Sequence, residues 1–370
     1  MICYKRVIGR LENGELIYSS GTVKNPFVAA FGNSGSGKTT FLEQQIHQLV
    51  LERIPVLVFN YGNCVKREDM QPDYREWYEK NVKVYNLNTG IPIHLMNSGL
   101  FANIPESKRD NVMINQITNF LGGAYSLPPT HMAELRSAIR SVYETGAYQE
   151  EGICAIGSFL EEAECRSASS VYTKMRTLLD YNLLSDGEIS FDKPIVEFDL
   201  NALDSQSQFI VAQILVSYFY LCAKQGMYTN TRLAMVLDEA QHFDFSSGIF
   251  YEILTEGRKA NMILLFATAE SPLKRSLSNL QQCSTKLYFQ PAKDTRKLAK
   301  LISEGDTSYW TRALKSLSIG EFVAIGDFCR ETGKTLRGIR ILRTSLNPPV
   351  ESTVSNLPTE AKKGNTQPRN

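Results

Sequence analysis

Residues Phe31 to Thr40 read FGNSGSGKTT, and Gly32 to Thr39 fits G-x-x-x-x-G-K-[ST] at every fixed position. Such a run constrains its surroundings, because its backbone N–H groups can close around a phosphate only between a strand and the start of a helix. An apolar segment, Pro26 to Ala30, leads in, and Leu42, Ile46, Leu49 and Val50 follow on one helical face. The expected nucleotide-binding set is Gly32, Asn33, Ser34, Gly35, Ser36, Gly37, Lys38, Thr39 and Thr40. In it Lys38 reaches the β- and γ-phosphates and Thr39 ligates Mg²⁺, so ATP and Mg²⁺ are the expected cofactors.

A chain of 370 residues with 43% hydrophobic content is large enough for one sizeable α/β domain or two moderate ones. Its formal net charge of +1 provides no global field for nucleic acid, so any DNA-binding surface must be local. The 7 cysteines (3, 64, 154, 165, 222, 283 and 329) form no CxxC pair, which argues against a disulfide framework or a zinc site and for the reducing cytoplasm. His47, His94, His131 and His242 show no ligand spacing. No signal-peptide core is seen in Met1 to Arg10, and the apolar run Phe209 to Ala223 falls about five residues short of the roughly 20 that span a bilayer. That run is read as a buried core helix, with no membrane span.

Residues 1–24 carry a short β segment around Glu12-Asn13-Gly14-Glu15, a hairpin ahead of the core. The nucleotide-binding core is expected over 25–99 and again over 186–343. Its strands are Val56 to Asn60, Lys83 to Leu87, Pro194 to Leu200, Leu233 to Asp238, Met262 to Thr268 and Lys286 to Gln290, with long helices between. Runs apolar on both alternating positions suit a mostly parallel sheet covered on both faces, hence an α/β fold. Phe322 to Gly326 and Gly338 to Leu342 suggest a closing antiparallel pair, and helical periodicity from 100 to 185 suggests an all-helical insertion of about four helices. From about Thr344 the composition turns to Pro, Ser, Thr, Asn and Lys, so 344–370 is expected to be a disordered tail.

Leu233 to Glu239 (LAMVLDE) is an apolar strand ending in two carboxylates, the pattern of a Walker B segment. Asp238 is placed to hold Mg²⁺ and Glu239 to polarise the attacking water; one carboxylate serves the metal while the other stays free as base. Thr268 ends the next strand, where its hydroxyl can sense the γ-phosphate or simply terminate the strand. Arg258, in Thr255 to Lys259, reads either as an arginine finger donated to a neighbouring subunit or as a solvated charge at a helix end.

Together GNSGSGKTT, LAMVLDEAQHF, ILTEGRKANMILLFAT and LSNLQQCSTKLYF resemble, in order and spacing over about residues 25 to 345, the HerA/FtsK superfamily of ring ATPases, most closely its HerA-like and VirB4-like branch. The resemblance implies a RecA-like P-loop fold and a hexameric, ATP-driven DNA translocase in a mobile-element, conjugation or defence setting. It also implies nucleotide and Mg²⁺ binding by Lys38 and Thr39, metal and base work by Asp238 and Glu239, and an Arg258 that reaches the adjacent protomer. Two departures stand out. The family usually has Gln after its Ala-Thr pair, whereas Ala269 and Glu270 follow Thr268 here, and only about 25 residues precede the loop where relatives often carry a larger docking domain.

In such a ring a few cations per subunit suffice for DNA. Lys274 and Arg275 are candidates, as are Lys293, Arg296, Lys297 and Lys300, which also read as a solvated helix face. A nuclease, relaxase or secretion channel is the expected kind of partner. Two other readings stay open: an ATP-gated oligomeric scaffold that switches an effector nuclease, and a secretion ATPase that moves protein.

Overall fold

The computed structural model describes residues 6–344 except 21–24, 94, 97–103, 186, 229–231, 304 and 337. The expectations for Cys3, His94 and the tail beyond Thr344 fall outside these residues. The chain opens with a hairpin, β1 (Val7–Arg10) and β2 (Leu16–Ser19), turned at Gly14 with φ 83°. Then come β3 (Val28–Phe31), α1 (Lys38–Leu51), β4 (Val56–Asn60), α2 (Pro72–Asn81), β5 (Val82–Asn86) and the two-residue β6 (Ile91–Pro92).

Helices α3 (Glu106–Ala124), α4 (Pro129–Thr145), the single turn α5 (Tyr148–Glu151), α6 (Ala155–Glu162) and α7 (Arg166–Asp180) follow, before β7 (Leu184–Ser185) returns to pair with β6. Leu135, Ile139 and Val142 of α4 and Val171, Met175 and Leu178 of α7 are buried at helical spacing, so these helices pack on one another through continuous apolar stripes. The core resumes with β8 (Ile195–Asp199), α8 (Ser205–Lys224), β9 (Leu233–Leu237), α9 (Gly248–Glu256), β10 (Met262–Thr268) and β11 (Thr285–Phe289). It ends with α10 (Thr295–Ile302), α11 (Thr307–Ser316), β12 (Glu321–Ile325), β13 (Phe328–Arg330), β14 (Thr335–Leu336) and β15 (Ile339–Arg343).

Among the described residues one 13-stranded sheet runs β14-β13-β2-β1-β15-β12-β11-β3-β10-β9-β4-β8-β5. From β11 to β5 each neighbouring pair is parallel, and from β12 outward to β14 each is antiparallel. The central sheet is therefore parallel as expected, and β12 with β15 forms the antiparallel pair; the hairpin β1–β2 and the strands β13 and β14 extend it beyond what the apolar runs reveal. Long helices do not separate all the strands. A 3-10 segment, Arg275–Gln282, joins β10 to β11, and the nine-residue α9 precedes β10.

Both faces of the sheet are buried at its parallel centre, which is why β3, β4, β9 and β10 carry apolar residues on both alternating positions. Ala29, Phe31, Leu57 and Phe59 enter the core shared with α8 and the helices α3 to α7, while Val28, Ala30, Val56 and Val58 enter the core under α1 and α2. Helix α8 spans 20 residues with a mean hydropathy of 1.2, so by length and composition alone it could cross a membrane. In the fold 72% of that stretch is buried, and its N-terminus is capped by Asp204, which accepts from Gln206 N and Ser207 N.

A charged side chain sits within this apolar interior. Glu197, 2% exposed on β8, accepts from Asn60 Nδ2 at 3.0 Å, Tyr78 Oη at 2.9 Å and an Arg67 guanidinium nitrogen at 2.5 Å. Arg67 also lies over the Tyr78 ring, 4.6 Å from its centre. The cluster fastens the segment between β4 and α2 to the sheet. Arg67→Ala leaves the carboxylate buried with only neutral donors and is expected to cost about 3 kcal/mol, whereas Glu197→Gln, which removes the buried charge, costs less. Urea unfolding midpoints of the two variants check this ordering.

Candidate functional site

Strands β3, β9 and β10 are adjacent and parallel, so their carboxyl ends open onto one edge of the sheet. The loop from β3 to α1 sits there. Gly37, with φ 100°, is the N-cap of α1, and a Cβ on it would meet the Gly320 backbone at 2.9 Å. A Cβ on Gly32 would lie 2.5 Å from the Phe289 Cβ. Glycine is thus required at both positions by close approach, at Gly37 by φ as well. The loop is further pinned by Gly32 N to Thr268 O at 3.2 Å, Asn33 N to Gln290 O at 2.8 Å and Gly320 N to Ser36 O at 2.9 Å.

Lys38 is 5% exposed, and its ammonium donates to the carbonyls of Gly32 (3.0 Å) and Asn33 (2.8 Å), arching over the loop. Burial lowers its pKa, against the pull of Asp238 and Glu239 in the other direction. Thr39 Oγ1 donates to Asp238 Oδ2 at 2.9 Å, and Asp238 Oδ1 accepts from Glu239 N at 2.9 Å. Asp238 is buried, and desolvation raises its pKa, while the Thr39 bond opposes the shift. Tyr61 Oη donates to Asp238 O at 2.5 Å and fixes the strand end from the other side.

The residues present fit a magnesium–nucleotide. The Ser36 hydroxyl is buried without a partner inside the loop, the glycines leave room for phosphate oxygens, and Thr39 with Asp238 offers two hard oxygen donors side by side. Among the described residues no three His, Cys, Asp or Glu side chains converge on one point, so an ion here would draw its remaining ligands from phosphate and water.

Glu239 adopts φ 54° and ψ 40°, a left-handed conformation that non-glycine residues seldom hold. Its carboxylate accepts from Gln241 Nε2, and Gln241 Oε1 in turn accepts from Thr268 Oγ1 at 2.8 Å and Ala269 N at 3.2 Å. Thr268 is fully buried, and its hydroxyl accepts from Glu270 N at 3.1 Å. Lys38, Thr39, Asp238, Glu239 and Thr268 are thus brought together at one edge. Arg258 is not: it is exposed in the 3-10 turn Gly257–Ala260, before β10, with the strand's length of about 20 Å between it and the loop. Gln241, Tyr61 and Glu43 were not singled out from the sequence; the position of Gln241 in DEAQHF was the one available signal.

Behind Thr39 and Asp238 lies a cavity of about 30 Å³, room for one water, lined by Glu43, Cys64, Val65, Met70 and Tyr74. The Tyr74 hydroxyl in it has no partner. A second cavity of about 230 Å³ flanks Gly32 between Ala269, Glu270, Pro291 and Lys293.

No protein-family model matches the sequence, and no curated protein matches it. Solved structures do resemble the fold. VirB4 of Thermoanaerobacter pseudethanolicus superimposes with a TM-score of 0.68 at 14% identity, over 94% of this chain and 98% of that one. The bacterial conjugative coupling protein TrwBdeltaN70 gives 0.57 at 12% identity, over 93% and 90%. The plasmid coupling protein TrwB in complex with ADP and Mg²⁺ gives 0.56 at 12%, over 93% and 91%. At such identities the likeness is one of fold, and the chain has the α/β, RecA-like P-loop fold that its motif series implies.

Burial lifts the Glu43 carboxyl from its ordinary 4.5 to about 7, with the charges of Asp238 and Asp69 adding to the shift. A raised folded-state pKa stabilises the protein below about pH 4.5 and ceases to do so as the pH rises through about 7. Glu43→Gln is therefore expected to resist urea better than wild type at pH 8 and equally at pH 4, a comparison of midpoints at the two pH values.

Proposed function

We propose that this chain is an ATP-hydrolysing motor subunit of the HerA/FtsK type, VirB4-like in its branch, that moves DNA through an oligomeric ring. One observation carries the reading: the Thr39 hydroxyl and Asp238 carboxylate stand 2.9 Å apart beside the Glu239 carboxylate, with a lysine arched over the loop. The likeness to VirB4 and to a TrwB solved with ADP and Mg²⁺ supports it.

In this reading Lys38 exchanges its two loop carbonyls for β- and γ-phosphate oxygens, and the backbone N–H groups of 33–40 surround the β-phosphate at the start of α1. Thr39 and Asp238 would hold Mg²⁺, which would supply neutralisation of phosphate charge. Glu239 takes a proton from water as the water oxygen bonds to the γ-phosphorus; the bond to the bridging oxygen breaks, and ADP leaves with its electron pair. Thr268 faces the γ-phosphate end of the site.

Arg258 lies at the opposite edge of the sheet from this chain's own loop, a placement that supports action on an adjacent protomer rather than in cis. A site completed in this way favours an ATP-stabilised oligomer, a hexamer by the resemblance. For DNA, a groove of about 800 Å³ between α10 and α11 gathers Arg296, Lys297, Lys300 and Lys315, of which Lys297 pairs with Asp294 at 3.2 Å. Lys293 and Arg275 are exposed nearby in sequence, whereas Lys274 is engaged by Glu270 at 2.6 Å. The six described cysteines are free thiols, in keeping with a cytoplasmic setting.

Lys38→Ala is expected to abolish tight nucleotide binding, and Glu239→Gln to retain ATP while stopping turnover. Binding of a fluorescent ATP analogue and steady-state phosphate release, with and without DNA, separate the two; normal turnover by either variant overturns the site. DNA stimulation supports the motor, while stimulation by a protein alone favours the scaffold reading. Arg258→Ala is expected to lose turnover by on the order of 10³ with ATP affinity nearly unchanged. Mixing it with Glu239→Gln subunits should restore part of the activity, because some mixed boundaries hold both an intact arginine and an intact glutamate.

A further inference from the structure

We infer that Gln241 is a positioning residue for hydrolysis: its side-chain amide holds Glu239 and ties it to Thr268 and the backbone of Ala269, so that the base is set by the state of the β10 end. The inference rests on the proposed ATPase reading. Four observations lead to it.

The first is the amide's chemistry. Gln241 donates through Nε2 to a carboxylate and accepts through Oε1 from a hydroxyl and a backbone N–H. Turned over, it would set its carbonyl against the carboxylate and its NH₂ against two donors, so its partners dictate one orientation. The second is the backbone. Glu239 stands in the left-handed region just before the 3-10 turn Ala240–His242. That turn is held by buried Ala240 and Phe243 and by His242, stacked 3.9 Å from the Phe209 ring centre. Gln241 therefore projects from a fixed base, and the Glu239 carboxylate takes its direction from the amide that donates to it.

The third is that Thr268 has few alternatives. Fully buried, its hydroxyl gives its one proton to Gln241 and accepts from Glu270 N, while its carbonyl accepts from Gly32 N of the phosphate loop. A continuous series of hydrogen bonds thus runs from Gly32 through Thr268 and Gln241 to Glu239. A γ-phosphate that claims the Thr268 proton deprives Gln241 of one donor and frees the amide, and with it Glu239, to shift towards the attacking water. The fourth is where the series leads outward. Glu270 pairs with Lys274 at 2.6 Å, so the segment whose backbone the amide grips continues into exposed cations that a DNA phosphate can reach.

The test uses the full chain in a steady-state phosphate-release assay at saturating ATP. Gln241→Ala is expected to lower kcat on the order of 10², the lower range for a displaced general base, with affinity for a slowly hydrolysed ATP analogue changed less than threefold. Gln241→Glu keeps the shape, replaces the donor by a second acceptor and should be at least as slow; it serves if the alanine variant folds poorly, both being checked by circular dichroism. Combined with Thr268→Val, which removes the hydroxyl at the other end of the amide, Gln241→Ala should lose little more than the worse single variant. A wild type that hydrolyses ATP, together with a Gln241→Ala within threefold of it in kcat, overturns this inference alone, as do multiplicative losses in the double variant. A wild type that binds ATP but never hydrolyses it overturns both this inference and the ATPase reading.

Discussion

A hydroxyl and a carboxylate 2.9 Å apart, Thr39 Oγ1 and Asp238 Oδ2, join the first turn of α1 to the end of β9, and the edge of the sheet is organised around that bond. Asp238 is nearly inaccessible, so its charge is costly unless partners offset it. Thr39 and the Glu239 amide contribute directly, and the Lys38 ammonium acts through space. Tyr61 then holds the Asp238 carbonyl, which fixes the strand end in place. Displacing any of these would move two elements at once. Because Thr39 belongs to α1 and Asp238 follows β9, the phosphate loop and the strand end behave as one unit.

Around this joint the sheet is made rigid by burial on both faces. Glu197 shows how closely the interior is controlled. A carboxylate admitted to a central strand is met by a guanidinium, a phenol and an amide, and the same cluster secures the segment that carries Tyr61 and Cys64. Structural charge and site charge thus lie on strands that flank β4 from opposite sides without merging: Glu197, on β8, faces the α1–α2 side with its own partners, whereas Asp238 and Glu239 follow the end of β9 at the edge.

Much of this was legible in the sequence because it depends on local pattern. The strands at 56–60 and 262–268 were readable as unbroken apolar runs, and their limits coincide with β4 and β10. The loop glycines were readable because each has a backbone reason. What escaped was non-local or solitary. Strands β13 and β14 are short and partly exposed, and β13 pairs with β2 at the other end of the chain while β14 pairs with β13, so nothing in their own composition marks them. The single amide of Gln241 has no spacing to reveal it. Its role emerges only when β9 and β10 are set side by side, and it bonds Ala269, where the resembled family usually has Gln after its Ala-Thr pair.

The Gly37–Gly320 contact joins opposite ends of the chain, and Thr344 N reaches Gly320 O at 2.8 Å to brace it. A chain emerging from the ribosome presents its phosphate loop early but receives the turn that buttresses it only when nearly all of the domain has been made. Until then the loop lacks its Ser36–Gly320 hydrogen bond and is free to sample other shapes. Nucleotide affinity should therefore arise late in synthesis, so that a truncated product has an intact signature sequence and no competent site.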